Sequence, residues 1–219
     1  MSSLKCAQCG IVNFAACVAC RRCSAPLDVA AAASGSRSWR NPTAGQQAIA
    51  ITIVTLAILL AARTSLILTS EDLDWVQRER VDAAVALLRD RGFDKEAFVL
   101  GHVAHYRRSD NWWNRYVGHG EAYAATNFPF EVVTLYPRFF RVAVDDTERA
   151  VILLHEAQHL IGHGEDATLV YVWSSKQRIG WTEPRYGATR VWRDAKDWTA
   201  QSAPALFACG SSAACAAAP

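Results

Sequence analysis

The sequence predicts an α+β protein, and three observations carry that expectation. His155-Glu156-Ala157-Gln158-His159 falls in a helix-compatible segment, directly behind a run rich in β-branched and aromatic residues at 131–144. Two C-x2-C pairs, Cys6/Cys9 and Cys20/Cys23, stand close together near the start of the chain. Between these features, residues 45–62 are uncharged throughout. The expected order is a small metal module at 1–27, a flexible linker at 28–44, a membrane-spanning helix at 45–68, a mixed domain at 69–200 and a mostly disordered tail at 201–219.

The chain has 219 residues, 51% of them apolar and 20% charged, which is enough for one medium domain with a packed core and a smaller module beside it. Its net charge of +2 conceals an asymmetry. Residues 1–44 carry Lys5, Arg21, Arg22, Arg37 and Arg40 against Asp28 alone, whereas the chain beyond residue 68 is net acidic. No basic stripe is left there for nucleic acid.

In the first module, the ten-residue gap between the two C-x2-C pairs suits two tight knuckles that deliver four thiolates to one tetrahedral Zn²⁺. Cys17 stands between the pairs, as a bystander or an alternative ligand. With Gly10 and Asn13 after the first knuckle and Pro26-Leu27 after the second, this stretch resembles the short zinc ribbons found at the start of many bacterial membrane proteins. A protein partner for the ribbon is one expected role. The Ala/Ser/Gly/Pro-rich stretch that follows reads as a connection.

Residues 45–62, extended to Leu68 if Arg63 snorkels, reach the length of one membrane span. The basic side should stay in the cytoplasm, and Glu71, Asp72 and Asp74 should follow on the far side. The expected location is therefore a single-pass cell-membrane protein with a cytoplasmic N-terminus and an extracytoplasmic C-terminal domain. Cysteine usage agrees, because a tight thiol cluster suits a reducing compartment, while the late pair Cys209/Cys215 suits a local disulfide outside it.

Beyond the span, Thr69 or Ser70 can cap a helix over 70–91, with Val81, Val85 and Leu88 on one face and Gly92 as its stop. Residues 93–127 show no clear period; His102 and His105 there read as ordinary helix or loop residues. Residues 131–144 read as one or two strands, and Pro137 favours an edge position or a break. Asp145-Asp146-Thr147-Glu148 opens a helix to about Ile161. Gly162 and Gly164 end it, a second helix starts near Glu165 and runs to about Arg178, and a Gly180-Trp181 turn follows.

On a helix, positions four apart share a face, so His155 and His159 can aim ring nitrogens at one ion while Glu156 stands beside them to take a proton from a water. This pattern resembles the zincin metallopeptidases, whose shared core is an edge strand above an H-E-x-x-H helix. The resemblance covers about residues 128–180. Gly162 matches the glycine of the metzincin extension, but Glu165 occupies the third-ligand position, and the methionine turn is excluded because Met1 is the only methionine. Gluzincins do use a glutamate, from a second helix farther along the chain. The third ligand is therefore to be sought among Glu165, His163 and Asp166, with Glu165 favoured because the two glycines let the backbone fold back.

The expected activity is that of a membrane-anchored, extracytoplasmic zinc peptidase. Glu156 is its general base, and Tyr171, Tyr186, Tyr136 or His163 supports the oxyanion. The strand at 131–136 would hold an extended peptide, protein or cell-wall substrate by strand addition. The competing expectation is a non-catalytic sensor or binding protein with a structural metal and a partner-binding cytosolic ribbon.

Overall fold

In a computed structural model of the chain, which describes residues 3–14, 17–27, 43–118 and 122–207, the fold is mixed α and β. Contacts divide it into two units, Met1–Ile53 and Val54–Pro219. The first unit begins with β1 (Ser3–Lys5) and β2 (Val12–Phe14), paired antiparallel. Its two cysteine knuckles have the same backbone pattern. Gly10 N–H donates to Cys6 O and Ser24 N–H to Cys20 O, with Gly10 and Ser24 both at positive φ. Cys6, Cys20 and Leu27 form the small buried centre. The expected linker falls largely on residues 28–42 and the Cys209/Cys215 pair on the tail, both outside the described residues.

Helix α1 (Ala44–Leu68) opens with a reciprocal cap: Gln46 N–H donates to Thr43 Oγ1, and Thr43 N–H donates to Gln46 Oε1. It is long and apolar enough to cross a membrane, with a mean hydropathy of 2.2 and almost no burial along its apolar window.

The second unit continues with α2 (Trp75–Asp90), α3 (Asp94–His102), β3 (His105–Arg107) and α4 (Trp112–Val117). The cap of α2 is Asp74, in a reciprocal box with Gln77, and not Thr69 or Ser70. Those two hydroxyls instead donate back to carbonyls at the end of α1, Thr69 to Ser65 and Ser70 to Leu66. Two strands follow, β4 (Ala124–Asn127) and β5 (Val132–Leu135), then a short helix α5 (Pro137–Arg141).

The sheet order is β3-β5-β4, with β3 parallel and β4 antiparallel to β5. The strand expected at an edge is thus the central one, buried along its whole length. Pro137 imposes no edge because it lies beyond the strand, in the first turn of α5, where a missing N–H leaves no bond unmade. The same helix replaces the second strand expected over the rest of the run. The exposed edge next to the histidine helix is β4, drawn from the stretch without a legible period.

Helix α6 (Asp146–Leu160) is the centre of the unit, touching α2, α3, β4 and α7 (Glu165–Ile179). Asp145 caps it, its Oδ1 accepting from the N–H groups of Thr147 and Glu148. Leu153, Leu154 and Ala157 are buried on the faces that do not carry the histidines; each larger side chain contributes about 1.5–3 kcal/mol by leaving water. The chain then forms α8 (Glu183–Tyr186), α9 (Arg190–Ser202) and a 3-10 turn at Pro204–Leu206. Helix α9 was not expected. It packs on α7 through a cluster of Trp173, Trp181 and Trp192, with Phe207 against Trp173, so the folded unit runs past residue 200.

Candidate metal centre

Three side chains meet where α6 passes into α7. Nε2 of His159 lies 3.1 Å from Nε2 of His155 and 3.1 Å from Oε2 of Glu165, and Nε2 of His155 lies 3.5 Å from Oε1 of Glu165. Ligands held about 2.0–2.1 Å from a tetrahedral Zn²⁺ stand roughly 3.4 Å from one another, so these separations suit one face of such a tetrahedron. The turn between the helices makes this meeting local. Gly162 adopts φ +90°, and His163 N–H donates to Gln158 O, folding the chain back so that Glu165 opens α7 beside the histidines.

The imidazole of His159 is oriented from behind. Its Nδ1 donates to the backbone carbonyl of His163 at 2.9 Å, leaving Nε2 to face the ligand cluster. Without a metal, the hydrogen bond from His159 to Glu165 pulls the imidazole up to about 9, with the His163 carbonyl adding to it. In turn, hydrogen bonds from His155 and His159 hold the Glu165 carboxyl well below the usual carboxylate range. Positive charge is therefore favoured at this point, as proton or as cation.

Glu156 is only 4% exposed, and its Oε2 accepts a 2.7 Å hydrogen bond from Thr126 Oγ1 on β4. Both residues line a cleft of about 810 Å³, walled on one side by β4 and on the others by α6, α7 and α9. His155, His159, His163 and Glu165 line the same cleft, with Tyr123, Phe128 and Trp198 among its aromatic walls. β4 pairs with β5 on one side, and no strand among the described residues pairs with the other.

Several residues singled out in the sequence lie elsewhere. Asp166 points to α9, accepting from Ser202 Oγ at 2.6 Å. The His163 ring donates from Nδ1 to Gln158 Oε1, 2.7 Å away, and the residue's contribution to the histidine pair is made by its backbone carbonyl. Tyr171 donates to Glu96 at 2.6 Å, Tyr186 to Asp145 at 2.8 Å and Tyr136 to Asp110 at 2.5 Å; none of the three lines the cleft. Tyr123, which does, donates to Asp194. Thr126 and Tyr123 were missed because a four-residue strand of Ala, Ala, Thr and Asn carries no hydrophobic alternation to find it by.

The first unit holds a second cluster of different character. Sγ of Cys6 lies 3.6 Å from that of Cys23, and Sγ of Cys9 lies 3.5 Å from that of Cys20. Zn–S bonds of about 2.3 Å place thiolates roughly 3.8 Å apart in a tetrahedron, and these four sulfurs can hold one metal ion. Backbone N–H groups of Arg22 and Cys23 pull the Cys20 thiol down, and the Asn13 amide reaches the same sulfur at 3.6 Å while accepting from Arg21 N–H. Cys17 stands outside the four. His102 and His105 belong to neither cluster.

Compared with known proteins, the chain matches no family model, no curated protein and no solved structure.

Proposed function

We propose that this chain is a membrane-anchored zinc peptidase whose outer domain hydrolyses amide bonds. The observation that carries the reading is the contrast between the two clusters. The four cysteines offer four ligand atoms to one point, whereas His155, His159 and Glu165 form a set of three that faces an open cleft, with a buried carboxylate on the neighbouring residue. Three protein ligands and one free position is the pattern of catalytic zinc, and four thiolates that of structural zinc.

His155, His159 and Glu165 would hold a zinc ion, which would supply Lewis acidity for a carbonyl and for a water whose pKa it would lower towards about 7. The protein's own residues do the rest. Glu156 accepts the water proton and returns it to the leaving amine, held in place by Thr126. The open edge of β4 offers backbone groups to an extended peptide, which aligns it along the cleft. A short antiparallel edge strand beside a ligand-bearing helix supports a zincin-like reading of the domain. His163 is the one oxyanion candidate named from the sequence that borders the cleft.

The charge asymmetry across α1 supports a cytoplasmic ribbon and an extracytoplasmic peptidase domain. The second reading, a sensor with a partner-binding ribbon, draws on Val12, Phe14 and Val18, all exposed on the small unit.

The test is hydrolysis of a mixed peptide library by the full chain in nanodiscs, with Glu156→Gln as its control. Cleavage by the wild type and its loss in a variant with the same zinc content is the expected result. Equal cleavage by both, or none by either when zinc-loaded, overturns the peptidase. A reporter fused at the C-terminus that is active only in the cytoplasm overturns the orientation.

A further inference from the structure

The end of α1 and the mouth of the cleft are tied together by side chains of one unit. Arg63 of α1 pairs with Glu131 at 3.5 Å, and Glu131 closes the turn at the end of β4. Two residues further along α1, Ser65 Oγ accepts from Trp112 Nε1 at 2.9 Å, while Trp112 N–H donates to Thr69 Oγ1. Arg107, itself buried, donates to the carbonyls of Ile67 and Ser70 and pairs with Asp72, fixing the helix end against β3.

These contacts set a level along the helix. Ala44 to Ala62 is uncharged and spans about 28 Å at 1.5 Å per residue, close to the hydrocarbon thickness of roughly 30 Å. Arg63 is then the first residue beyond the hydrocarbon, and Ser65 lies only about 3 Å further out. The Trp112 ring, held at Ser65, therefore lies at headgroup depth. Trp113 meets it edge-on at 5.6 Å, and Tyr116 follows at 6.0 Å from Trp113, 46% and 81% exposed respectively. Phe128, in the turn that Glu131 closes, is 61% exposed and forms the cleft wall beside Gly162.

We infer that Trp112, Trp113, Tyr116 and Phe128 form a face that rests in the headgroup layer of the bilayer crossed by α1. The Trp and Tyr rings, each with one polar edge, partition to this depth, and the exposed Phe128 ring adds apolar surface at the cleft. The cleft then opens at Phe128 onto the membrane surface, and its substrates are polypeptide segments lying at that surface. The inference rests on the reading of α1 as a span, and continuity with that helix is what selects lipid as the occupant over a second copy of the chain.

The experiment places a photo-reactive benzoylphenylalanine at Tyr116, or at Leu60 within α1, in the full chain in phospholipid nanodiscs, and identifies adducts by mass spectrometry. Lipid adducts at both positions, in comparable yield, are expected. Lipid adducts at Leu60 with protein–protein adducts or none at Tyr116 overturn the docking face while leaving the span standing. Absence of lipid adducts at Leu60 overturns both.

Discussion

Thr126 Oγ1 donates to Glu156 Oε2 across 2.7 Å, linking the sheet edge to the residue between the two histidines. A general base that accepts a proton from one direction has to be held in one rotamer, and in the proposed mechanism Thr126 does this from the strand that also borders the cleft. Thr126→Val keeps the β-branched shape and removes the donor. We expect hydrolysis to fall roughly 10- to 100-fold with zinc content unchanged, whereas Glu156→Gln costs about 10²–10⁴-fold. Paired measurements of kcat and bound zinc check this, and a Thr126→Val enzyme of wild-type kcat refutes the positioning role.

Glu165 and His163 should separate cleanly. Glu165→Ala removes a converging ligand atom, so zinc should fall from about two ions per chain to about one. The His163 contribution to His159 comes from its carbonyl, so His163→Ala should retain both ions. Elemental analysis after dialysis distinguishes the two. Loss of zinc in His163→Ala would make the ring itself a ligand.

Among the five cysteines of the small unit, only Cys17 lies outside the sulfur cluster. Cys17→Ser should bind ribbon zinc as the wild type does. Cys20→Ser should lose it and, with it, the fold of a module whose buried centre is Cys6, Cys20 and Leu27. Zinc competition with a chromophoric chelator reports both.

Asp145 caps α6 and also accepts from Tyr186 and Arg185. Asp145→Ala should cost about 1–2 kcal/mol, read as a lower urea midpoint by tryptophan emission. An unchanged midpoint would show the cap to be dispensable.

His105 should contribute to the loss of stability in mild acid. Its Nε2 is buried without a hydrogen-bond partner among the described residues, and burial, with Arg107 and Arg63 nearby, pushes its pKa down. In the unfolded chain it titrates near 6.5. Below that value the unfolded chain takes up a proton that the folded chain resists, so this contribution is full above about pH 6.5 and is lost as pH falls below it. His105→Gln should flatten the fall in melting temperature between pH 7.5 and 5.5. Parallel losses in wild type and variant would refute it.

What the sequence disclosed follows the range of the interactions involved. The spacing of His155 and His159, the glycines that return Glu165 and the two cysteine knuckles are each set within a few residues, and each was legible. β4 was not, because four small residues become a strand only by pairing with β5. Pro137 was legible as a break, and the strand does end before it at Leu135; what the local pattern did not disclose was the helix that the proline opens. Helix α9 was within reach of the sequence, because Val191, Trp192, Ala195 and Trp198 recur at helical spacing among charged residues; its docking against tryptophans of other segments is the tertiary part. The destinations of the tyrosine hydroxyls are tertiary facts, absent from any local pattern.

All three converging ligand atoms of the histidine site belong to one uninterrupted stretch, from His155 to Glu165. Its turn is closed by its own backbone, and its rear hydrogen bond to His159 comes from its own His163. The cradle is thus a cassette, specified by a single short span of text, whereas two of the cleft's walls, β4 and α9, are drawn from segments far away in the chain. Two such parts can vary independently: the walls can be rewritten to admit a different guest while the cradle is copied unaltered.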